Sequence, residues 1–205
     1  MFHTYIASYP SGKINQDRVA TAANEKGFII VLADGAGGFG DGALVAQFIV
    51  DKAIEAFNER ILVGSSECAS FLAKLDQLLI AQGEQGESTA VILVVESNSI
   101  LGASVGDSGA LLIRHNKSVI ELTDHQHRKP LMGTGRANPI AFGEVFLEGT
   151  ILVASDGLLK YTSLEAIKSI VTTNAIDDIA NRLVDLVRLR NNVLSDDTTV
   201  VVYSP

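Results

Sequence analysis

Two stretches of this chain have the same form, a run of strand-forming apolar residues that stops at an Asp-Gly pair. They are FIIVLADG at 28–35 and TILVASDG at 150–157. Runs of β-branched and aliphatic residues are typical of buried strands, and an Asp at the end of such a strand lies where a rigid element meets solvent. The glycine that follows lets the backbone approach a bound ion closely. If the fold brings the two strand ends together, Asp34 and Asp156 form an acidic metal site.

The composition argues against several other classes of protein. A length of 205 residues, 47% of them apolar, fits one domain covering 1–205 with a substantial core. The net charge of −8 disfavours nucleic acid as a partner. No apolar run is long enough to span a membrane and the N-terminus lacks a signal pattern, so we expect a soluble, cytoplasmic protein with no membrane partner. The single cysteine, Cys68, lies in helical phase with Leu72 and Leu75, as expected for a thiol in a helix core.

Hydrophobic periodicity predicts an α+β fold. Strands are predicted at 3–8, 27–33, 88–96, 99–105, 110–114, 118–122, 144–148, 150–154 and 198–203. Helices are predicted at 41–58, 68–81, 164–172 and 176–190. Because the helices come as two adjacent pairs and the strands as antiparallel hairpins, the order differs from strict βαβα alternation. We therefore expect a four-layer α-β-β-α sandwich, with two mostly antiparallel sheets flanked by helix pairs.

The segment 35–40 also fits G-x-G-x-x-G between a strand and a helix, which is the fingerprint of dinucleotide binding. Asp34 argues against that reading, since its carboxylate would repel a pyrophosphate, and no clear second parallel strand follows. A glycine-rich turn with a purely steric role explains the pattern but leaves Asp34 unexplained.

Six aspartates stand at predicted strand ends or in the turns beside them. They are Asp17, Asp34, Asp107, Asp124, Asp156 and Asp196. Any one of them alone is explained as a turn residue, but a sheet can deliver several to one rim. Carboxylates in a chain with few His and one Cys favour magnesium or manganese over zinc.

Seven short motifs occur in order from near residue 3 to the last predicted strand. They are NQD at 15–17, DGAGG at 34–38, ESTA at 87–90, VGDS at 105–108, LTDH at 122–125, SDG at 155–157 and DDTTV at 196–200. Together they resemble the metal-dependent serine/threonine protein phosphatases of the 2C type, in a compact, bacterial-like form. The resemblance implies a helix-flanked β-sandwich that hydrolyses phosphoserine and phosphothreonine in proteins with a metal-activated water.

By this resemblance, two Mn²⁺ or Mg²⁺ ions bind at one edge of the sandwich. Asp34 would bridge the ions and the Gly35 carbonyl would bind one of them. Asp156 and Asp196 would complete the carboxylate ligands of the first ion. Asp124 would bind a weaker third ion that it shares with Asp156, as in bacterial members.

Two further acids have different expected roles. By similarity to the family, Asp17 would act in catalysis by holding water bound to the ions. Asp107 lies in a Gly-Asp turn, and a structural role and a role just outside the direct ligands fit that position equally well.

The chain departs from the family pattern at two positions near its first acids. The family's phosphate-binding arginine is missing because Gly12 stands there. We expect its neighbour Lys13 to bind phosphate as a point charge, with an ordinary exposed lysine as the alternative. Ala36 replaces a histidine that some eukaryotic members place there as a general acid, and His125, His127 or a metal-bound water is a candidate for that role.

The segment between Asp124 and Asp156 is short for the family, so most of the flap subdomain found in many bacterial members is expected to be absent (about 125–143). Its basic residues include Arg128 and Arg136, which we expect to bind substrate near the active site. A reduced flap predicts broad specificity or a partner that supplies the missing surface.

The sequence therefore predicts a monomeric phosphatase that opposes a serine/threonine kinase pathway and acts on phosphorylated proteins. Two alternatives stay open at this stage. One is a regulatory pseudophosphatase that binds a partner without hydrolysis, and the other is a phosphatase acting on a small molecule. The presence of every expected acid favours activity, whereas the missing arginine argues weakly against it.

Overall fold

The computed structural model describes residues 3–36 and 41–205, and its strands form two five-stranded sheets. The strands are β1 (His3–Tyr9), β2 (Asp17–Ala23), β3 (Gly27–Asp34), β4 (Ala90–Glu96), β5 (Ser99–Val105), β6 (Gly109–Arg114), β7 (Val119–Glu121), β8 (Ile140–Phe146), β9 (Gly149–Ala154) and β10 (Thr198–Ser204). The helices are α1 (Gly42–Asn58), α2 (Ser65–Gln82), α3 (Asp156–Leu159), α4 (Leu164–Thr173) and α5 (Ile176–Val187).

The two sheets pack face to face and carry helices on their outer faces. The strand order is β1-β10-β9-β6-β7 in one sheet and β2-β3-β4-β5-β8 in the other, with every pairing antiparallel. One apolar layer lies between the sheets, a second lies under α1 and α2, and a third lies under α3, α4 and α5. The predicted α+β, four-layer α-β-β-α sandwich is confirmed.

The interior strands are buried on both faces, which explains their continuous apolar sequences. β4 and β10 each have six consecutive buried residues followed by one that is half-buried. The longer helices bury only one face, and α1 begins where the Asp41 carboxylate accepts a hydrogen bond from the Leu44 N–H. None of the helices in the described part of the chain is long and apolar enough to cross a membrane.

Two elements near the cleft described below differ from the sequence prediction. No strand is predicted at 17–23, yet β2 pairs with β3 along its whole length. Three of its seven residues are alanine, which has a weak intrinsic preference for strands, so the pairing with β3 decides the conformation. A single helical turn, α3, also begins directly at Asp156.

The predicted start of the eighth strand is four residues too late. β8 begins at Ile140 instead of residue 144, and its ladder with β5 shifts register between Ile100 and Leu101. Gly143 lies at this irregularity with φ of 124°, a conformation that favours glycine. The bulge interrupts the alternating pattern from which the strand would have been recognised.

One buried carboxylate fastens the segment between β7 and β8 to α2. Asp76 is 1% exposed and accepts hydrogen bonds from the N–H groups of Gly133, Gly135 and Ala137 at 2.7, 3.1 and 2.9 Å. The Met132 N–H also donates to the Ser88 carbonyl at 3.0 Å. The loop at 122–139, which includes most of the segment expected to be a reduced flap, is therefore fixed to the helix layer.

We expect Asp76→Ala to destabilise the protein, because three backbone N–H groups lose their acceptor at once. Hydrogen bonds to a charged group contribute about 1.5–3 kcal/mol each, so a total loss of about 3 kcal/mol is a conservative figure. In a chain of this size that loss lowers the Tm by about 6–12 °C. Thermal unfolding followed by circular dichroism measures the shift.

Asp51→Ala is the matched control, because Asp51 is exposed on α1 and accepts a hydrogen bond from Gln47 on the same helix. If the Tm of Asp76→Ala stayed within about 2 °C of this control, the carboxylate would not be holding the loop.

Candidate active site

Four aspartates from the two sheets meet at one end of the sandwich. In the β2–β3 pair, Asp17 at the start of β2 lies directly opposite Asp34 at the end of β3. In the β9–β10 pair, Asp156 follows the end of β9 and Asp196 precedes the start of β10. Asp34, Asp156 and Asp196 line a cleft of about 540 Å³, and Asp17, 4% exposed, lies beside Asp34.

The residues just before β4 fix the backbone of Asp34. The Ser88 hydroxyl and the Thr89 N–H both donate to the Asp34 carbonyl, at 3.0 and 2.8 Å. The Asp34 N–H donates to Thr89 Oγ1 at 3.0 Å, and Thr89 Oγ1 is also hydrogen-bonded to Ser108 Oγ at 2.7 Å. The ESTA and VGDS motifs thus position Asp34.

No side chain fits at Gly35. A Cβ there would lie 2.9 Å from the Ala43 nitrogen and closer still to the Gly42 carbonyl, because the chain passes directly against the start of α1. Residue 35 therefore presents only its backbone to the cleft that it lines. The rest of the glycine-rich segment, 37–40, lies outside the described residues.

Asp17 belongs to one sheet and is held by the other. The Ser155 hydroxyl donates to Asp17 Oδ2 at 2.9 Å and accepts from the Thr199 N–H at 2.9 Å. The second oxygen, Asp17 Oδ1, is buried and receives no hydrogen bond from the described residues. A buried acceptor of this kind is satisfied by a proton on the neighbouring Asp34 carboxyl, by an ordered water or by a cation.

The carboxylates repel one another. Burial, followed by the charges of Asp17, Asp156 and Asp196, raises the pKa of Asp34 from 3.8 to about 9. Burial is also the main cause that raises the pKa of Asp17 to about 6. The pKa of Asp156 is raised by burial and then by the charges of Asp107 and Asp196. Ionising these clustered carboxyl groups therefore costs free energy, and a bound cation would remove that cost.

The donor set fits a hard divalent cation. It consists of carboxylate oxygens and the Gly35 backbone, which Mg²⁺ and Mn²⁺ accept, and it includes the unsatisfied Asp17 Oδ1. In the described residues, no three His, Cys, Asp or Glu side chains converge closely enough to mark an ion position by geometry alone.

Another carboxylate, Asp197, holds the loop that carries Lys13. Asp197 is 8% exposed, and its Oδ1 accepts from the N–H and hydroxyl of Ser11 at 2.7 and 2.9 Å. Its Oδ2 accepts from the Gln16 N–H at 2.6 Å. Both ends of the loop are thus attached to the start of β10, and Lys13 and Ile14 between them line the cleft.

Basic side chains lie on the Asp156 side of the cleft. Arg128 Nε donates to Asp107 Oδ2 at 2.7 Å, and both residues line the cleft together with Lys129. Lys160, one helical turn beyond Asp156, has its Nζ 3.8 Å from Asp156 Oδ2. Positive charge is therefore available at the rim for an anionic ligand.

The structure does not bring Asp124 to this cleft. Asp124 lies in a separate cavity of about 290 Å³ with His125, whose Nδ1 is 3.6 Å from the Asp124 carboxylate. It follows the edge strand β7, which is two strands away from β9, a displacement of about 10 Å. The acid beside Asp156 is Asp107, which precedes β6, the strand hydrogen-bonded to β9. An ion shared by Asp124 and Asp156 does not fit this arrangement.

Arg136 is also outside the cleft. It is exposed in the loop that Asp76 fastens to α2, and it is not among the described residues that line the cleft. The two histidines considered as general acids are likewise absent from that lining, since His125 faces the other cavity and His127 is exposed. The sequence placed these residues near the site only because they are close to it along the chain.

Three residues of the site region were missed by the sequence interpretation. Ser155 and Asp197 are direct neighbours of the strand-end aspartates, so adjacency to those motifs was an available signal. Lys160 lies four residues after Asp156, a spacing that places it near that carboxylate only because α3 forms.

The chain is similar to known proteins over most of its length. The family described as protein phosphatase 2C matches residues 7–187. The chain is 27% identical to protein phosphatase PhpP of Streptococcus pneumoniae serotype 2 (strain D39 / NCTC 7466) over 226 aligned positions, which cover 93% of this chain and 91% of PhpP.

Two solved structures share the fold at lower identity. The serine/threonine phosphatase Stp1 from Staphylococcus aureus is 20% identical, with a TM-score of 0.77 over 100% of this chain and 95% of Stp1. The catalytic domain of the serine threonine protein phosphatase PstP, in complex with two manganese ions, is 18% identical, with a TM-score of 0.74 over 99% of this chain and 97% of that domain.

A helix-flanked double sheet with an acidic cleft at the ends of its strands is the architecture of a metal-dependent phosphatase. The chain belongs to the protein phosphatase 2C family, since the matched segment includes most of its length. It is accordingly a protein phosphatase.

We expect Asp34→Asn to stabilise the metal-free protein, because the buried Asp34 side chain stays mostly protonated in the folded chain at pH 8, whereas it ionises freely once the chain unfolds. Since the folded pKa of Asp34 lies above that of the unfolded chain, the metal-free wild type loses stability as the pH rises from about 4 towards 9. Each relieved pKa unit corresponds to about 1.4 kcal/mol, or about 3–6 °C in Tm for a chain of this size.

Thermal unfolding at pH 8 in the presence of a chelator measures this effect. Manganese should raise the Tm of the wild type and have a smaller effect on Asp34→Asn. A metal-free variant that is less stable than the wild type at pH 8 would contradict the account of repulsion.

Proposed function

We propose that this protein hydrolyses phosphoserine and phosphothreonine in proteins with the help of two Mn²⁺ or Mg²⁺ ions, and so opposes a serine/threonine kinase. The main support is that Asp34, Asp156 and Asp196 line one cleft, with Asp17 beside Asp34, and that the rim of this cleft carries basic side chains. Gathered carboxylates favour binding of cations, and the basic rim favours a phosphorylated substrate.

The residues that would hold the ions are Asp34, the Gly35 carbonyl, Asp156 and Asp196. Asp34 would contribute its carboxylate together with those of Asp156 and Asp196, because all three line the same cleft. When bound, such a pair of ions supplies activation of water and neutralises charge on a phosphoryl group under attack.

Asp17 would orient the attacking water. Ser155 engages Asp17 Oδ2, which leaves Oδ1 as a fixed acceptor beside Asp34. A water that donates to Oδ1 would be held with its lone pair directed into the cleft, where the phosphoryl group binds. In the metal-free protein, burial raises the pKa of Asp17 to about 6, and bound cations would lower it again, so that Asp17 would act as an ionised hydrogen-bond acceptor.

Lys13 and Arg128 would bind the phosphate in place of the missing arginine. Lys13 is carried into the cleft by the loop that Asp197 holds at both ends. Arg128 is oriented by Asp107 through its Nε, and its two Nη groups remain as a fork for phosphate oxygens. Arg136 is not assigned this role, since it lies in the loop fixed to α2.

A protein substrate is favoured by the apolar residue next to Lys13. Ile14 is 70% exposed and lines the cleft, so it can contact the apolar part of a bound peptide. A binding module without activity is disfavoured because Asp34, Asp156 and Asp196 line the cleft and Asp17 lies beside Asp34. We further propose a cytoplasmic monomer with its flap reduced to the loop held by Asp76.

Hydrolysis should depend on both the ions and Asp34. With manganese, the wild type should cleave p-nitrophenyl phosphate and a phosphothreonine peptide, and either chelation or Asp34→Asn should lower kcat/KM by at least about 100-fold. Small phosphometabolites serve as competing substrates, and a preference for them would favour the small-molecule phosphatase. Turnover that survives chelation would refute the metal mechanism, and a folded, metal-loaded protein without turnover would indicate a binding module.

Substitutions can distinguish a direct contact with the phosphate from a general effect of positive surface charge. Lys13→Ala should raise the KM for the phosphothreonine peptide by about tenfold, because a charged contact to phosphate is lost. Lys13→Arg should restore binding, since its fork can grip two oxygens. Arg136→Ala removes the same charge outside the cleft and should leave the KM within about twofold of the wild type. Equal effects of Lys13→Ala and Arg136→Ala would place the phosphate elsewhere.

A further inference from the structure

The carboxylates of Asp107 and Asp156 form a second acidic pair at one side of the cleft. They come from neighbouring strands, because Asp107 precedes β6 and Asp156 follows β9, with Gly109 opposite Ala154 in the ladder. The charge of Asp107 is the largest electrostatic cause, after burial, that raises the pKa of Asp156. A pair of this kind would ordinarily attract a cation of its own.

Two basic side chains already neutralise this pair. Arg128 Nε donates to Asp107 Oδ2 at 2.7 Å, and Lys160 Nζ lies 3.8 Å from Asp156 Oδ2. Both cations also lower the pKa of Asp156 and so act on the same carboxylate. They reach it from different elements, Arg128 from the loop after β7 and Lys160 from the end of α3.

The other side of the cleft has no such compensation. Among the described residues, no Lys, Arg or His lies within ion-pair distance of Asp17, Asp34 or Asp196. Charge compensation in the cleft is therefore asymmetric. The acids on this side need ions from solution to balance their charge, whereas Asp107 and Asp156 are balanced by side chains of the protein.

We propose that Arg128 and Lys160 together occupy, as fixed charges of the protein, the position at Asp107 and Asp156 where a third divalent ion would bind. This inference rests on the proposed two-ion site. It replaces the third ion expected from the sequence with two side chains. The protein should then bind two ions with useful affinity, and a third one only when these cations are removed.

The physical reason is competition for the same oxygens. A divalent ion at this position would have to displace the Arg128 hydrogen bond from Asp107 Oδ2 and would be repelled by Lys160. Both side chains are at least half exposed, so each interaction is screened by solvent. Removal of both cations should therefore tighten the third site by at least about tenfold, and not create one of very high affinity.

Counting bound Mn²⁺ tests the inference without reference to activity. Free Mn²⁺ measured by electron paramagnetic resonance, together with isothermal titration calorimetry, gives the number of sites and their Kd values. The wild type should bind two ions below millimolar concentration, and Arg128→Gln/Lys160→Gln should bind three. Adding Asp107→Asn to this double variant should remove the third ion and leave the first two.

The matched control is Lys168→Gln/Arg182→Gln, which lowers the net charge by the same amount on the outer helices α4 and α5. This control should bind two ions. Lys160→Gln alone is the second variant, because Lys160 is half exposed and its loss should be tolerated by the fold. It should shift the Kd of the third site in the same direction by a smaller factor.

The outcomes separate this inference from the proposed function. A wild type that binds a third ion through Asp107 as tightly as the double variant would overturn the inference, as would a double variant or Lys160→Gln with no gain over the control. In both cases the two-ion site stands. A wild type that binds no Mn²⁺ at all would overturn the proposed metal site, and this inference with it.

Discussion

The apolar layer between the two sheets is the constraint on which the rest of the structure depends. Asp17 and Asp34 belong to one sheet, whereas Asp156 and Asp196 are attached to the other. The acidic cleft therefore exists only while the two sheets stay packed against each other in this relative position. Side chains such as Leu32, Leu93 and Ile151 fill this layer and are fully buried. The hydrogen bond from the Ser155 hydroxyl to Asp17 adds a polar tie at the cleft itself. Hydrophobic packing thereby holds together charges that repel one another.

The clustered aspartates of the cleft lower the free energy of unfolding of the metal-free protein, but they suit the binding of cations. The raised pKa values of Asp34, Asp17 and Asp156 reflect carboxylates that would be better solvated apart. The surrounding hydrogen bonds prevent relaxation, since Ser88 and Thr89 fix the Asp34 backbone. Binding of divalent cations would remove this unfavourable free energy. The metal-loaded protein would then be more stable than the metal-free one.

Two further buried carboxylates act as anchors for loops. Asp197 attaches both ends of the loop carrying Lys13, and Asp76 fastens the segment after β7 to α2. In each case one side chain satisfies several backbone N–H groups that no strand or helix would pair. The two fixed segments contribute Lys13, Ile14 and Leu131 to the lining of the cleft. The choice of Asp at both positions follows from its two acceptor oxygens.

The layers of the fold and the aspartates at strand ends could be predicted from the sequence, because hydrophobic periodicity and strand termini are local properties of a chain. It did not reveal β2, whose alanines form a strand only through pairing with β3. It also paired Asp124 with Asp156 as ligands of a shared ion, although Asp107 is the acid beside Asp156 in the sheet, and it placed Arg136 near the substrate. These points depend on long-range strand pairing, since the order of strands within a sheet sets which turns are neighbours. β6 pairs with β9 while β7 lies one strand further out, so Asp107 and not Asp124 stands beside Asp156.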